Sequence, residues 1–230
     1  MEAIVLGDIA PRLSLQELRQ RLHIAEDSSH AAELAALVRE AEALARPKAL
    51  CGVAYVEERG DEHVVVDGAR FASRVLAVNI GQAQRVFPYI ATCGTELEAW
   101  ADAFDDLLYR FWSGAIREAA MRAAMAAVAE YLERTYAPGE LSRMNPGSLG
   151  DWPIEEQVPL FRLLGDPEAA VGVRLTPGLL MVPSKSVSGI RFPTGEPFES
   201  CLLCPRPDCP NRRAAQDPDL YNRRYRKAEA

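Results

Sequence analysis

Apolar residues recur at helical spacing in two blocks of this chain, and strand-like clusters lie between and after those blocks. Ala3–Leu6 reads as a short strand. Ser14, with Glu17 three residues on, forms a capping-box pattern that opens an amphipathic helix. Leu34, Leu37, Val38, Ala41 and Leu44 mark a second helix over His30–Ala45, ending before Pro47. Ala49–Glu57 and His63–Val66 read as a hairpin turning at Arg59-Gly60-Asp61. Ser73–Asn79 is expected as a short helix and Val86–Thr92 as a buried strand. A capping box of Thr95 and Glu98 predicts a further helix, with Leu97, Trp100, Ala101, Phe104, Leu107 and Leu108 on one face. Trp112-Ser113-Gly114 is expected to interrupt it, before an Ala-rich helix runs to Tyr136 and stops at Pro138-Gly139.

The texture then changes. Pro146, Gly147, Gly150 and Pro153 predict an irregular loop, followed by a helix over Ile154–Leu164. Val171–Leu175, Leu179–Met181 and Ser186–Phe192 read as strands, and Asn211–Lys227 as a short polar helix. No repeat and no long linker divides the chain. The reading is a single α+β domain, a twisted and mostly antiparallel sheet with flanking helices and an irregular Cys-rich C-terminal loop. Residues 1–48 form a helix-and-strand lead-in, 49–192 the core, and 193–230 the Cys-rich loop and basic tail.

Composition narrows the partners. The net charge of −7 argues against a general nucleic-acid binder, although Pro205–Ala230 carries seven Arg/Lys against four Asp/Glu. That basic tail reads either as a solvated helix or as a dock for an acidic partner. No apolar run approaches the roughly 20 residues of a membrane span. The N-terminus has no signal-peptide pattern. Five cysteines, an odd number, fit a reducing cytoplasm with thiols free or metal-bound.

Three of those cysteines form Cys201-x-x-Cys204-x4-Cys209-Pro210, inside a stretch where Pro205, Pro207 and Pro210 forbid a helix. Thiolates so spaced suit a tetrahedral zinc or three corners of a [4Fe–4S] iron–sulfur cluster. Three unligated thiols are the plainer reading. The fourth ligand is expected from Cys93, because a helix N-terminus after it would favour thiolate. Cys51, in a strand, is the other candidate, and an open fourth position is a third possibility. His23, His30 and His63 show no ligand spacing and are expected at the surface. Glu155-Glu156 reads as first-turn decoration, and Lys185-Ser186 lacks any partner for nucleophilic chemistry. Trp100, Phe104 and Trp112 read as core.

The segment Arg143–Phe192 resembles the activation domain of cobalamin-dependent methionine synthase and its stand-alone, cysteine-bearing relatives. The matching pieces are Arg143-Met-Asn-Pro-Gly147, Gly150-Asp-Trp-Pro153, Glu156-Gln157 and Leu160-Phe161-x-Leu163-Leu164. They continue with Gly172-Val-x-Leu-Thr176 and Met181-x-Pro183-x-Lys185-Ser-Val-Ser-Gly189, and Ala91-Thr-Cys-Gly94 is similar upstream. The resemblance implies S-adenosylmethionine binding and docking on a corrinoid protein whose inert Co(II) cobalamin is rescued by reduction. It implies that Arg143, Pro146, Gly147 and Ser148 hold the ligand. A guanidinium fork suits its carboxylate, and glycine permits close backbone approach. Ser148 stands where the family has tyrosine, and Ala126 falls near an expected glutamate, with Glu130 one turn away. The family's N-terminal aspartate has no counterpart here.

Together these readings describe an accessory protein for a cobalamin-dependent methyltransferase, served by an electron donor and relaying an electron through an iron–sulfur centre. Two alternatives stand beside it: a zinc-stapled docking module without a redox role, and an S-adenosylmethionine-dependent methyltransferase.

Overall fold

The computed structural model describes residues 1–209 and 211–226; Pro210 of the Cys-Pro pair and Lys227, the expected end of the terminal helix, lie outside them. The chain runs β1 (Ala3–Leu6), α1 (Leu15–Leu22), α2 (Ser29–Leu44), β2 (Lys48–Gly52), β3 (Ala54–Arg59), β4 (His63–Val66) and β5 (Ala69–Ala72). It continues α3 (Arg74–Ile80), β6 (Arg85–Thr92), α4 (Thr95–Asp102), α5 (Leu107–Tyr136) and β7 (Leu141–Met144). Then come α6 (Gln157–Leu164), α7 (Pro167–Val171), β8 (Arg174–Leu175), β9 (Met181–Val182) and β10 (Ser186–Pro193). An α+β domain with a mostly antiparallel sheet is what the sequence predicts and what forms.

The long strand β6 organises the sheet. Along one edge it pairs first with β2, Lys48 opposite Thr92, and then with β3, Ala54 opposite Val86. The expected strand Ala49–Glu57 is therefore two strands, parted at Val53. β1 extends this side beyond β2, and β4 and β5 extend it beyond β3. Along its other edge β6 pairs with β10, and β7 closes that side as β10's outer neighbour.

Alternation along β6 divides its apolar side chains between two layers. Phe87, Tyr89 and Ala91 pack against Ala124, Val128 and Leu132 of α5, whose small side chains let the helix sit close. Val86 and Ile90 belong to the opposite layer, with Leu76 of α3, Leu160 of α6, Trp152, Ile190 and Phe192. α1, α2, α4 and the start of α5 make a third cluster around Leu34, Leu97, Trp100 and Trp112. Among the described residues no helix is long and apolar enough to cross a membrane.

Several local expectations give way to longer-range contacts. Ser14 caps α1 as expected, its hydroxyl accepting from the Glu17 N–H at 3.3 Å. The Thr95–Glu98 capping box does not form, because Glu98 instead binds Arg117 at 2.5 Å and the Ser184 N–H at 2.8 Å. The helix does not break at Trp112-Ser113-Gly114. It breaks at Ala103–Asp106, where the Asp106 carboxylate accepts from the Leu108 and Tyr109 N–H groups and starts α5 afresh. Leu107 is consequently 80% exposed instead of lying on the apolar face. Val171 ends α7 and does not begin a strand. In place of a regular polar helix near the C-terminus there is a single π-type turn at Tyr221–Tyr225. Tyr225 is fully buried and donates to Asn79 Oδ1 at 2.8 Å, so the basic tail is anchored in the core.

Candidate functional site

The β10–β7 pairing sets Arg143 opposite Arg191. Arg191 is 9% exposed; its guanidinium donates to the Met125 carbonyl of α5 at 3.2 Å and lies 5.3 Å from the Tyr89 ring centre. Burial pulls it below the ordinary arginine value. Arg143, on the outer strand, is half-buried and makes no side-chain hydrogen bond among the described residues. Its positive charge reaches Glu199, where it partly offsets the burial that pushes that carboxyl above its usual range. Two guanidinium groups opposite each other on paired strands repel, so this edge favours an anion.

The loop after β7 is pinned from both sides. Asn145 Nδ2 donates to the Tyr89 hydroxyl at 2.8 Å and to the Ser188 carbonyl at 2.7 Å. Pro146 is buried. Gly147 has φ +79°, and its N–H donates to the Trp152 carbonyl at 2.8 Å. A β-carbon there would be strained and would sit 2.8 Å from Ile154 Cδ1. Asp151 accepts from the Ser73 hydroxyl and from the Val75 N–H at the start of α3. Ser148 donates its hydroxyl to the Asn145 carbonyl at 2.6 Å.

Ser148 also brings the cysteine segment into the picture, because its Oγ lies 3.4 Å from that of Ser200. Phe198 N–H donates to Ser142 Oγ of β7 at 2.7 Å. The Arg143 loop and the cysteine turn are therefore neighbours, a relation that their spacing in the chain does not reveal. The turn itself is held by Arg212, whose guanidinium donates to the carbonyls of Cys201, Cys204 and Ala214 at 3.1 Å each, and to that of Arg206. The Arg212 N–H binds the Cys209 carbonyl at 3.0 Å.

Cys201, Cys204 and Cys209 are all half-buried, and their donor chemistry suits zinc or an iron–sulfur cluster. Their arrangement does not. Among the described residues no three His, Cys, Asp or Glu side chains converge as a ligand set. An arginine, cross-linking carbonyls, supplies the organisation that a metal was expected to supply. Cys93 is buried in the helical cluster, its thiol donating to the Gly94 carbonyl at 3.5 Å. Burial pushes its thiol up to about 12, and the Glu98 charge adds to this, so the helix N-terminus does not make it a thiolate. Burial likewise raises Cys51 to about 11. Titration of the native protein with a chromogenic disulfide is therefore expected to count the three partly exposed thiols promptly. Cys51 and Cys93 should react only on unfolding; five prompt thiols would contradict this burial.

A cleft of about 1280 Å³ lies elsewhere along α5, between the segment Pro11–Ser14, α1 and residues Ala119–Ala126. Ala126, where the resemblance expects a glutamate, stands in its wall. Glu130, one turn on, pairs at 3.0 Å with Arg12, another residue of the wall. Asn211, which follows the cysteine turn, closes one end by accepting from Arg122 at 2.8 Å. Arg143, Pro146, Gly147 and Ser148 do not line this cleft. Sequence reasoning missed Arg191, Glu199 and Asn145 as neighbours of Arg143, and a charged residue inside an apolar strand was the one available signal for Arg191.

No protein-family model and no curated protein matches the chain. Among solved structures it is similar to the crystal structure of the MetH reactivation domain bound to AdoHcy. The TM-score is 0.59 at 19% sequence identity, over 86% of this chain and 80% of that one. The two chains share a fold, and the Arg143 edge with its adjoining cysteine turn is built upon it.

Proposed function

We propose that this chain serves the reactivation of a cobalamin-dependent methyltransferase and binds an S-adenosyl ligand at the Arg143 edge. The observation that carries the reading is Arg143 itself: a half-buried guanidinium without a hydrogen-bond partner among the described residues, facing Arg191 on the fold of an AdoHcy-bound domain. A carboxylate placed there would relieve the repulsion between the two cations and accept a forked pair of hydrogen bonds. The buried Pro146, the positive-φ turn at Gly147 and the bonded Asn145 keep the loop ready-made. The bound ligand would supply a methyl group that traps cobalt once a separate donor has reduced it on the partner corrinoid protein.

Calorimetry with S-adenosylmethionine and AdoHcy tests this reading. A charge-assisted hydrogen-bond pair contributes roughly 1.5–3 kcal/mol, so Arg143→Ala is expected to weaken binding by about 10- to 100-fold. Its melting temperature should stay close to that of the unmodified chain. Equal affinity in the variant, or no binding by the unmodified chain, would overturn the assignment.

A further inference from the structure

The three C-terminal thiols are not held as a ligand set, and two of them are held for a different chemistry. Three successive backbone hydrogen bonds wind the turn, donated by the Leu202, Leu203 and Cys204 N–H groups to the carbonyls of Glu199, Ser200 and Cys201 at 2.9, 3.1 and 3.3 Å. In such a tight helix residues three apart eclipse one another, separated by a rise of about 6 Å. The helix proper ends at Leu202, and the last of these bonds closes a turn over Cys201–Cys204 that holds their Cα atoms within about 7 Å. A disulfide spans Cα atoms roughly 4.4–6.8 Å apart, so this pair needs only a small adjustment to bond. Cys209 lies beyond Pro205 and Pro207, outside that ladder. The Arg213 N–H donates to Cys201 Sγ at 3.4 Å, a contact that strengthens as the sulfur gains negative charge. Arg212 fixes the carbonyls of both cysteines.

We propose that Cys201 and Cys204 form a dithiol that exchanges with disulfides, Cys201 attacking and Cys204 resolving. In the first step the Cys201 sulfur, having released its proton, attacks one sulfur of R–S–S–R. The new bond is Cys201–S–S–R, and the departing RS⁻ takes up a proton. Cys204 then gives up its proton and attacks Cys201 Sγ, closing the bridge and expelling the second R–S⁻, which is protonated in turn. The two cysteines lose two electrons and two protons, and the external disulfide gains them. The turn's position gives the exchange a consequence. Glu199 pairs with Arg213 at 2.6 Å and lies within the field of Arg143, and Ser200 touches Ser148. Closing the bridge tightens a turn whose first residues border the Arg143 loop. The inference stands whether or not a ligand binds there.

The test uses full-length protein, prepared without oxygen, analysed for iron and zinc and then incubated with oxidised glutathione. Free thiols are blocked and the peptides mapped by mass. Expected are a loss of two hydrogens from the peptide carrying Cys201 and Cys204, and the same product in Cys209→Ser. Cys204→Ser should stop at a persistent glutathione adduct on Cys201. A stoichiometric metal that resists exchange, a bridge that uses Cys209, or no reaction would overturn the proposal. Ligand binding, measured on the same sample, is a separate readout: exchange without S-adenosyl binding would remove the reactivation reading and leave this one.

Discussion

Trp152→Ala is expected to lower the melting temperature by about 10 °C and to disorder the Arg143 loop. Trp152 is fully buried in the layer opposite α5, its ring edge-on to Phe71 at 6.1 Å. Truncating a buried tryptophan costs roughly 3–5 kcal/mol, the lost transfer energy and the cavity together. In a chain of this size each kcal/mol shifts the midpoint by about 2–4 °C. The loop suffers as well, because the Trp152 backbone carbonyl receives the Gly147 N–H, and the chain between them turns back on itself through the Leu149–Trp152 pairing. Without the indole wedge nothing equally large fixes that segment to β5 and α3. Ile154→Ala, at a side chain 38% exposed beside Gly147, provides the control and should shift the midpoint by little. Thermal unfolding followed by circular dichroism checks both variants. A Trp152→Ala midpoint within about 3 °C of the unmodified chain would show that the loop does not depend on this packing.

The elements that sequence reasoning located well are those decided by near neighbours. Ser14 caps α1 through a residue three positions away, and the hairpin of β3 and β4 turns within a few residues of Gly60. The misreadings fall where a distant partner wins. Glu98 is free to cap its own helix only until Arg117 and Ser184 are brought against it. Gly114 costs a helix about 1 kcal/mol, too little to break the thirty-residue α5, whose face packs on the sheet. The tail's arginines conceal Tyr225, whose burial beside Phe198 depends on contacts made across most of the chain. The same distinction governs the site. The resemblance identified Arg143 and the Pro146–Ser148 loop, but the facing Arg191 follows only from the register of β7 on β10. Cysteine spacing identified soft donors without fixing where their sulfurs point, and the basic tail, read as a solvated helix or a dock for an acidic partner, includes Arg212, which is the turn's internal clamp.

Gly189→Ala is expected to be the most damaging single-methyl addition on the sheet. Glycine in a strand is ordinarily a weakness, and alanine would gain about 0.5–1 kcal/mol from reduced backbone entropy. Here the gain is outweighed. A β-carbon at Gly189 would press into the Met144 carbonyl, lie 2.5 Å from Asn145 Nδ2 and 3.1 Å from Tyr89 Cε1. The first of these is backbone, so relief requires β7 to move away from β10. Overpacking of this kind costs about 1–3 kcal/mol, and the displaced Asn145 would lose its bonds to Tyr89 and Ser188, each contributing roughly another 1 kcal/mol. A fall of about 4–18 °C in the melting midpoint follows. Because β7 carries Arg143, the same shift spoils the register with Arg191, and any S-adenosyl affinity should fall along with stability. Gly150→Ala separates this mechanism from a general intolerance of the loop: the added carbon there meets nothing within 4 Å, so both readouts should stay unchanged. If Gly189→Ala melts with the unmodified chain while Gly150→Ala does not, then close packing of β7 on β10 is not what positions Arg143.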